Sequence, residues 1–396
     1  MIAVFLAPLY LFVNIYILRW LLRWMEACHH HFKKRWVRVT VIAVYMFVAF
    51  SLVLAFFCPP GKLQRVLKYL SNYWLGTMIY IVLVVIIVDI IRIILKHSKK
   101  VDQKKLASRR TFVTNGTFCI VLILVITLSG VFNAHNIRTT DYKVSINKTA
   151  GNLDSLNIIL VADLHLGYSI GTAQMKKMVK KINAQNPDLV VIAGDIFDNE
   201  YEALDDPDRL AKILSGIDST YGTYACYGNH DIQEPILAGF TFNQKGKKVS
   251  DPRMDKFLKD ADIRLLRDES VLIDKSFYLY GRPDYERPGR GITKRKTPKE
   301  FTADLNKDLP IIVIDHEPRE LQELADAGVD LDLCGHTHDG QLFPGNIITK
   351  FFWENSCGYL KKDNMHNIVT SGIGVFGPNI RVGTRSEICN VHVTFQ

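Results

Sequence analysis

The hydrophobic positions of this chain follow two different patterns. In the first third they form four long, nearly unbroken stretches, residues 2–22, 37–57, 73–95 and 112–132. Each stretch matches the roughly 20 residues that an α-helix needs to cross the hydrocarbon core of a bilayer. The first lacks a basic start and a small-residue cleavage site, so it is not typical of a removable signal peptide. The pattern predicts four transmembrane helices over residues 1–133.

Basic residues are unevenly distributed among the connections between these stretches. The connections after the first and third stretches are rich in Lys and Arg, whereas the second contains only Lys62, Arg65 and Lys68. Because basic connections stay in the cytoplasm, four spans place both termini and the chain after about residue 133 on the extracytoplasmic side. We therefore expect a multi-pass integral membrane protein. Its net charge of +9 arises mainly beside anionic lipid, so no nucleic-acid partner is expected.

Two charged residues interrupt the third stretch. Asp89 and Arg92 are three residues apart and therefore share one face of a helix. An ionisable residue inside a membrane span is a functional hypothesis by default. Near the basic end of a helix, however, long charged side chains reach the interface. The sequence therefore favours a pair that neutralises itself there.

After the fourth stretch, short apolar runs alternate with amphipathic segments. Runs such as LNIILVA and DLVVIAG predict buried strands, and Met175, Met178 and Ile182 recur at the spacing of a helix. Alternating strands and helices that lead into a β-rich end are typical of layered α/β domains. The pattern predicts a linker with a first edge strand over residues 134–154 and an α/β domain over residues 155–396.

Five of the apolar runs end in residues of the types that bind metals. These residues are Asp163 and His165, then Asp195, then Asn229, His230 and Asp231, then His316, and finally His336 and His338. Each one alone is also typical of a turn or a helix cap. Strand ends in α/β sheets, however, line the crevice where ligands bind, and five such ends in one chain predict a metal site.

The types of these residues narrow the chemistry. They offer carboxylate, amide oxygen and imidazole, and no thiolate, which suits Mn, Fe or Zn better than Ca or a Cys-rich structural zinc. They are numerous enough for two divalent metal ions with a carboxylate between them. A pair of metal ions serves in-line displacement at phosphorus. The residues therefore point to a phosphoester hydrolase.

The motifs Asp-x-His, Gly-Asp, Gly-Asn-His-Asp, His and Gly-His-x-His, in this order, resemble those of the calcineurin-like metallophosphoesterases. The resemblance is greatest to the membrane-associated bacterial branch of that family and covers the chain from about residue 155 onward. It implies a four-layer α/β/β/α sandwich with the metal ions at the strand ends. It also implies hydrolysis of phosphate esters, including phosphodiesters, by a hydroxide that bridges the two ions.

The resemblance further implies roles for individual residues. The first metal ion would be bound by Asp163, His165, Asp195 and His338. The second would be bound by Asp195, Asn229, His316 and His336, with Asp195 as the bridge. His230 would protonate the leaving oxygen and Asp231 would orient it. Asp339 departs from the glycine usual in this branch, and we expect it to face water.

Substrate recognition is less well defined by the sequence. Arg282 and Arg287 lie in a Gly/Pro-rich basic loop with Arg290, Lys294, Arg295 and Lys296, and Arg381 lies near the end of the family pattern. Arginine binds phosphate in a bidentate manner, so Arg282, Arg287 and Arg381 are candidate substrate ligands, although a solvated basic loop has the same composition. A tethered site facing outward would suit a lipid-linked or cell-envelope phosphate.

Two alternatives remain at this stage. One is a pyrophosphatase that cleaves a nucleotide-linked lipid with the same metal site and faces the cytoplasm. The other is a non-catalytic scaffold or receptor with the same fold. The complete ligand set and His230 favour an enzyme, because a scaffold has no need to retain them. The sequence indicates neither an oligomeric state nor the identity of the metal ions.

Overall fold

The structure is a computed structural model that describes residues 2–59, 61–232, 236–237, 240–241, 251–288, 292 and 294–396. For residues 2–6, 236–237 and 240–241 it describes only the secondary structure. Arg290 of the predicted basic loop lies outside the described residues. The chain divides into two compact units. The first comprises Met1–Val131, Ile236–Asn243 and Gly377–Ile380, and the second comprises Phe132–Pro235, Gln244–Phe376 and Arg381–Gln396.

The first unit is helical. Its helices are α1 (Ile2–Cys28), α2 (Arg35–Phe57), α3 (Lys62–His97), α4 (Gln103–Leu106) and α5 (Arg109–His135). Within the described part of the chain, α2, α3 and α5 are long and apolar enough to cross a membrane. Three of the four predicted spans are thus confirmed as candidate membrane helices.

The prediction of a fourth candidate span, over residues 2–22, is not confirmed. This segment is helical, but its described part does not join the three candidate membrane helices. The physical reason is that Asn14, Arg19 and Arg23 interrupt the described part of α1 with polar groups. Asn14 is buried; its Nδ2 donates to the backbone oxygen of Tyr10 at 2.8 Å, and its Oδ1 accepts a hydrogen bond from the hydroxyl of Tyr45 at 3.0 Å. The contact with Tyr45 fixes α1 to α2.

The prediction that Asp89 and Arg92 of the third stretch neutralise each other is also wrong. Asp89 accepts a hydrogen bond of 2.6 Å from the hydroxyl of Tyr16 in α1. Among the described residues, no ion pair joins Asp89 to Arg92. The acid therefore serves a contact between α1 and α3.

The remaining elements belong to the second unit, except for β5 and β6. In chain order these are β1 (Arg138–Ile146), β2 (Ser155–Val161), α6 (Thr172–Asn183), β3 (Leu189–Ala193), α7 (Pro207–Leu214), β4 (Thr223–Cys226), β5 (Ile236–Leu237), β6 (Phe240–Thr241), α8 (Pro252–Asp260), β7 (Ile263–Leu265), β8 (Glu269–Ile273), β9 (Phe277–Gly281), α9 (Pro298–Thr302), β10 (Ile311–Ile314), α10 (Leu321–Ala327), β11 (Leu331–Cys334), α11 (Gly345–Ile348), β12 (Gly358–Lys362), β13 (Met365–Val369) and β14 (Glu387–Phe395). The antiparallel pair β5–β6 is grouped with the first unit.

Two six-stranded sheets form the second unit, with strand orders β1-β14-β2-β3-β4-β7 and β12-β13-β11-β10-β9-β8. Strands β2, β3, β4 and β7 run parallel in the first sheet, as do β9, β10, β11 and β13 in the second. The antiparallel strands β8 and β12 form the two edges of the second sheet. The carboxyl ends of each parallel set therefore lie along one edge of its sheet.

Three buried hydrophobic clusters separate four layers. Alternate residues of β2 divide between them: Ile159 packs with α6, α7 and α8, whereas Ile158 packs against the second sheet. On the far face of the second sheet, Val313 of β10 packs with α9 and α10. Strands covered on both faces read as continuous apolar runs. This explains why the central strands were recognisable in the sequence.

Candidate metal centre

The residues predicted as metal ligands directly follow five strands. Asp163 and His165 follow β2, Asp195 follows β3, Asn229 follows β4, His316 follows β10, and His336 and His338 follow β11. Because these strands are parallel within each sheet, their ends bring the seven residues together. Five of the seven, Asp163, His165, Asp195, His336 and His338, have φ angles between 45° and 73°. Such left-handed backbone is costly for residues other than glycine and persists where the surroundings enforce it.

The first group of ligand atoms surrounds one point. Nε2 of His165 lies 3.0 Å from Nε2 of His338. Nε2 of His338 lies 3.8 Å from Oδ1 of Asp163, and Nε2 of His165 lies 3.7 Å from Oδ2 of Asp195. All four side chains are buried. They are the four residues predicted for the first metal ion.

The second group lies beside the first and shares Asp195 with it. Oδ1 of Asn229 lies 3.0 Å from Nε2 of His316 and 3.0 Å from Nδ1 of His336. Those two nitrogens are 3.1 Å apart. Oδ2 of Asp195 lies 3.3 Å from Nε2 of His316. Asp195 thus contacts both groups, as a bridging carboxylate must.

These distances and atom types fit two divalent metal ions. Two atoms that bind one ion at about 2.1 Å lie about 3.0 Å apart in octahedral geometry and about 3.4 Å apart in tetrahedral geometry. His316 also shows the expected support, because its Nδ1 donates to the backbone oxygen of Ala193 at 2.9 Å. With the proton on Nδ1, the lone pair of Nε2 faces the group. The side chains present can therefore hold both ions.

Burial governs the protonation of this site. It raises the pKa of Asp163 to about 6 and lowers that of His336 to about 3. Burial also lowers the pKa of His316, but the charge of Asp195 outweighs it and raises the pKa well above its ordinary value. Likewise burial raises the pKa of Asp195, and the charge of His316 reverses this, so that the net pKa is well below its ordinary range. Asp195 therefore stays ionised, and its charge favours the protonated form of His316.

His230 lies beside the first group, and its partner is Asn199. Nδ1 of His230 forms a short hydrogen bond with Oδ1 of Asn199, whose Nδ2 donates to the backbone oxygen of Ile232 at 3.2 Å. The amide orientation makes Nδ1 the donor and leaves Nε2 free of this contact. Burial lowers the pKa of His230 to about 4. Asn199 is fully buried and was not predicted, although it stands four residues after Asp195 in the segment DIFDN.

The predicted role of Asp231 is therefore corrected. Its Oδ1 accepts the backbone N–H of Phe197 at 2.9 Å, and its Oδ2 accepts that of Gly228 at 2.7 Å. Both carboxylate oxygens are used to join the loops after β3 and β4. Asp231 positions the loop that carries Asn229 and His230 and does not orient the His230 ring.

The predicted substrate-binding roles of Arg282 and Arg381 are also corrected, since both side chains are 0% exposed. Arg282 donates to Asp315 and to Glu320, each at 2.6 Å, and Arg295 donates to the same two acids. These four side chains form an ion network in which Arg282, Arg295 and Asp315 are buried and Glu320 is partly exposed. Arg282 has no exposed surface with which to bind substrate.

Arg381 instead anchors backbone. It donates to the carbonyl oxygens of Ser371 at 2.6 Å, Gly374 at 2.8 Å and His338 at 3.2 Å. Arg381 therefore fixes the loop that carries a predicted metal ligand, and substrate does not reach it.

Arg287 is half-buried, and its Nη1 donates to the backbone oxygen of Asn229 at 3.2 Å. It is thus the predicted arginine whose guanidinium lies beside the centre. Asp339 is half-buried rather than fully solvated, and burial raises its pKa to about 6.

The second group borders an aromatic rim that the sequence did not indicate. The ring of Trp353 contacts the ring of His336 with centroids 5.1 Å apart. The guanidinium of Arg319 lies over Trp353 at 5.0 Å and over Tyr285 at 5.4 Å. A cavity of about 630 Å³ is lined by Tyr285, Arg319, Trp353 and Phe352. The rim offers a surface for the part of a substrate that extends away from the metal centre.

Several known proteins are similar to this chain in sequence. Residues 156–340 match the family model described as calcineurin-like phosphoesterase. An uncharacterized metallophosphoesterase of Campylobacter jejuni is 30% identical over 276 residues, which cover 68% of this chain and 67% of that protein. A zebrafish (Danio rerio) relative named as a transmembrane protein with metallophosphoesterase domain is 29% identical over 70% of this chain and 64% of its own length.

A further relative, the UDP-2,3-diacylglucosamine pyrophosphatase of Chlamydia trachomatis, is 25% identical over 52% of this chain and 70% of its own length. The chain spans about two thirds of the length of the curated relatives it matches. The matched region contains both groups of metal-binding side chains and His230. The chain belongs to the calcineurin-like phosphoesterase family.

Proposed function

We propose that this chain is a metal-dependent phosphoester hydrolase that its N-terminal helices hold at a membrane, and that it acts on a lipid-linked phosphate. One observation carries the enzymatic part. Two groups of metal-binding atoms share Asp195, and His230 lies beside them with its Nδ1 held by Asn199. A binding module would have no use for this histidine in addition to the ligands.

Each part of the site has a role in this proposal. When bound, two divalent ions such as Mn, Fe or Zn would supply Lewis acidity and a water of lowered pKa. Asp163, His165, Asp195 and His338 would hold one ion, and Asp195, Asn229, His316 and His336 the other. In its imidazolium form, His230 would deliver the proton on Nε2 to the leaving oxygen and return to the neutral tautomer with the proton on Nδ1, which Asn199 holds. Arg287 binds phosphate oxygens beside Asn229.

The lipid part rests on exposed apolar side chains near the centre. The segment after His338 exposes Ile347, Ile348, Phe351 and Phe352, and the two phenylalanines are 83% and 78% exposed. Phe352 also lines the cavity that begins at Trp353 and Arg319. Contiguous apolar surface of this kind marks a binding site more often than ordinary surface. Acyl chains of a phospholipid-like substrate have the matching chemistry.

We further propose that the catalytic unit is extracytoplasmic. The basic connections after α1 and α3 are cytoplasmic by the positive-inside rule, so α5 leads outward. This assignment does not depend on whether α1 crosses the membrane, because α2, α3 and α5 alone give the same side. The alternative is a nucleotide-linked lipid pyrophosphatase that faces the cytoplasm; the name of the chlamydial relative supports its reaction and not its side of the membrane.

The test uses the full-length protein in detergent, stripped of metal and reloaded with Mn. Bis-p-nitrophenyl phosphate, p-nitrophenyl phosphate, a lipid phosphomonoester and a nucleotide-linked lipid are compared as substrates. We expect metal-dependent hydrolysis that His230→Ala lowers by about 10²-fold or more and the control His392→Ala, an exposed histidine outside the centre, leaves unchanged.

The outcomes separate the candidate functions. Preference for the lipid phosphomonoester supports the proposal, and cleavage of the nucleotide-linked lipid alone favours the pyrophosphatase. A folded protein that binds the metal and hydrolyses none of the four compounds would leave the scaffold or receptor function. A C-terminal alkaline phosphatase fusion then reports the side of the membrane, since that enzyme folds only in an oxidising compartment.

A further inference from the structure

The membrane unit contains a cavity of about 800 Å³ that the proposed hydrolase does not use. It lies among α1, α3 and α5, near the end of α1, the end of α3 and the start of α5. These are the helix ends next to the basic connections. Its size is within the range of ligand sites in proteins.

The walls of the cavity are divided by chemistry. Its basic side chains are Arg19, Arg23 and Arg92, and its acidic side chain is Asp89. Its apolar lining includes Phe12, Ile15, Ile91, Leu95, Phe112 and Phe118. The site is therefore amphipathic, with an excess of positive charge and a predominantly apolar lining.

The positive charge is not compensated within the cavity. Asp89 already accepts the hydrogen bond from Tyr16. Among the described residues, no hydrogen bond or ion pair engages the guanidinium of Arg19, Arg23 or Arg92. Three arginines at one cavity and one engaged carboxylate leave it short of negative charge. Arg92 lies in α3, a candidate membrane helix, where an arginine is costly unless an anion or water solvates it.

The arrangement of the arginines distinguishes this cavity from ordinary interfacial anchoring. Arg92 belongs to α3, whereas Arg19 and Arg23 belong to α1, and all three line the same cavity. The three side chains thus come from helices that are far apart in the sequence. They line one cavity and do not lie at separate places along the membrane interface.

We propose that this cavity binds an anionic phospholipid, with the phosphate at Arg19, Arg23 and Arg92 and the acyl chains along the apolar walls. Charge complementarity selects a net negative headgroup over a zwitterionic one, and the many apolar side chains of the lining select a lipid over a soluble anion. The site is separate from the metal centre and does not depend on the proposed hydrolase activity.

Trp20 lines the same cavity and provides a local reporter. The full-length protein is reconstituted in phosphatidylcholine vesicles that contain phosphatidylglycerol with brominated acyl chains, which quench nearby tryptophans. The fluorescence lost in a Trp20→Phe variant identifies the signal of this site. We expect brominated phosphatidylglycerol to quench Trp20 at a lower mole fraction than brominated phosphatidylcholine does.

Charge variants test the recognition. Replacement of Arg19, Arg23 and Arg92 by Gln is expected to reduce the preference for phosphatidylglycerol at Trp20 by about fivefold for each arginine. The matched control replaces Lys33, Lys34 and Arg35 by Gln. These basic residues lie at or just before the start of α2 and do not line the cavity, so the control is expected to retain the preference for phosphatidylglycerol. If the triple variant does not fold, the three single Arg→Gln variants take its place.

Three results would overturn the proposal. The first is equal quenching of Trp20 by the two brominated lipids. The second is an equal loss of preference in the cavity and control variants, which would assign the effect to general surface charge. The third is loss of the preference when inorganic phosphate is added, which would indicate a soluble anion rather than a lipid.

Discussion

At the scale of single residues, the contact between Asn199 and His230 decides how the proposed proton donor is held. Asn199→Ala removes the acceptor of Nδ1 and frees the ring. We expect kcat/KM to fall by about 10–100-fold, as is usual when a residue that orients a functional side chain is lost. The metal content should stay unchanged, because Asn199 contacts His230 and not the two ligand groups.

A double variant isolates this effect. When His230 is already Ala, a further change of Asn199 to Ala should cost little, because its partner is gone. Independent losses that multiply in the double variant would show that Asn199 acts through another group. Steady-state kinetics with Mn-loaded full-length protein provide the four values of the cycle.

Asp332 shows a different effect of burial, at a distance from the metal ligands. Burial raises its pKa to about 7, and the charge of Asp315 adds to this. Its Oδ2 accepts hydrogen bonds from Asn367 and Cys334, whereas its Oδ1 is buried without a partner among the described residues. The proton of the neutral acid therefore belongs on Oδ1, which is the position that the amide nitrogen takes in Asp332→Asn.

This predicts a pH-dependent gain from Asp332→Asn. In the unfolded chain this carboxyl ionises near pH 3.9, whereas the folded chain keeps its proton until about pH 7. The free energy of unfolding therefore falls as pH rises through this window, by at most about 4 kcal/mol, and the amide avoids this loss. The Tm difference between variant and wild type should grow from pH 4 to pH 7. Exposed Asp304→Asn is the control, and a difference independent of pH would contradict the prediction.

At the scale of elements, the ends of the central strands were predictable and the supporting contacts were not. Strands β3 and β10 are continuous apolar runs, β2 ends in one, and β11 is apolar apart from Asp332; all four are buried where they meet the site, and each has its ligand close behind it. By contrast β12, with the sequence GYLKK, is a partly exposed edge strand, and α9 and α11 have five and four residues. Such short or exposed elements have too few apolar positions to show a period.

Arginine roles were missed for a related reason. The sequence places Arg282 in a basic loop, but its partners Asp315 and Glu320 are 33 and 38 residues away. Only the pairing of β9 with β10 brings them together. The same holds for Arg381, whose backbone acceptors lie in two segments, at His338 and at Ser371 to Gly374. Local sequence carries the metal ligands because each follows its own strand, whereas these contacts depend on the assembled sheet.

Arg381→Gln and Arg287→Ala should therefore differ in kinetics. Loss of Arg381 leaves buried carbonyl oxygens without a donor and loosens the loop of His338, so metal affinity should fall about 10–100-fold. Loss of Arg287 should raise KM with metal affinity unchanged, because this guanidinium lies beside Asn229 at the edge of the site. Metal titration and steady-state kinetics separate the two effects. An Arg381 variant with normal metal affinity and a raised KM would restore it as a substrate ligand.

The apolar segment after His338 makes a prediction about substrate choice. Joint replacement of Phe351 and Phe352 by Ser removes the most exposed aromatic surface of this segment. We expect turnover of a lipid phosphomonoester below saturation to fall about tenfold or more, from the loss of apolar contact, and that of p-nitrophenyl phosphate to stay unchanged. The control is Leu272→Ser on β8, an exposed leucine at a sheet edge. Equal losses on both substrates would argue against acyl recognition by this segment.

At the scale of the whole molecule, the chain consists of two units with separate cores. Ile17, Tyr45 and Ala49 belong to a core of the helical unit, whereas the clusters around Ile158 and Ile159 belong to the α/β unit. Both groups of metal-binding atoms lie entirely within the α/β unit. Metal ions, and the anionic phospholipid proposed for the helical unit, are therefore expected to stabilise different units.

This separation predicts two thermal transitions, of which metal moves only one. An ion that binds the folded α/β unit and not its unfolded chain stabilises it by about 2.7 kcal/mol per site at a hundredfold excess over Kd. Calorimetry of the full-length protein in detergent, with chelator and then with Mn, should show one transition shifting upward while the other stays in place. Asp195→Ala should abolish the shift, because Asp195 contacts both ligand groups. A single transition, or two that move together, would instead mean that the helical unit and the α/β unit unfold as one.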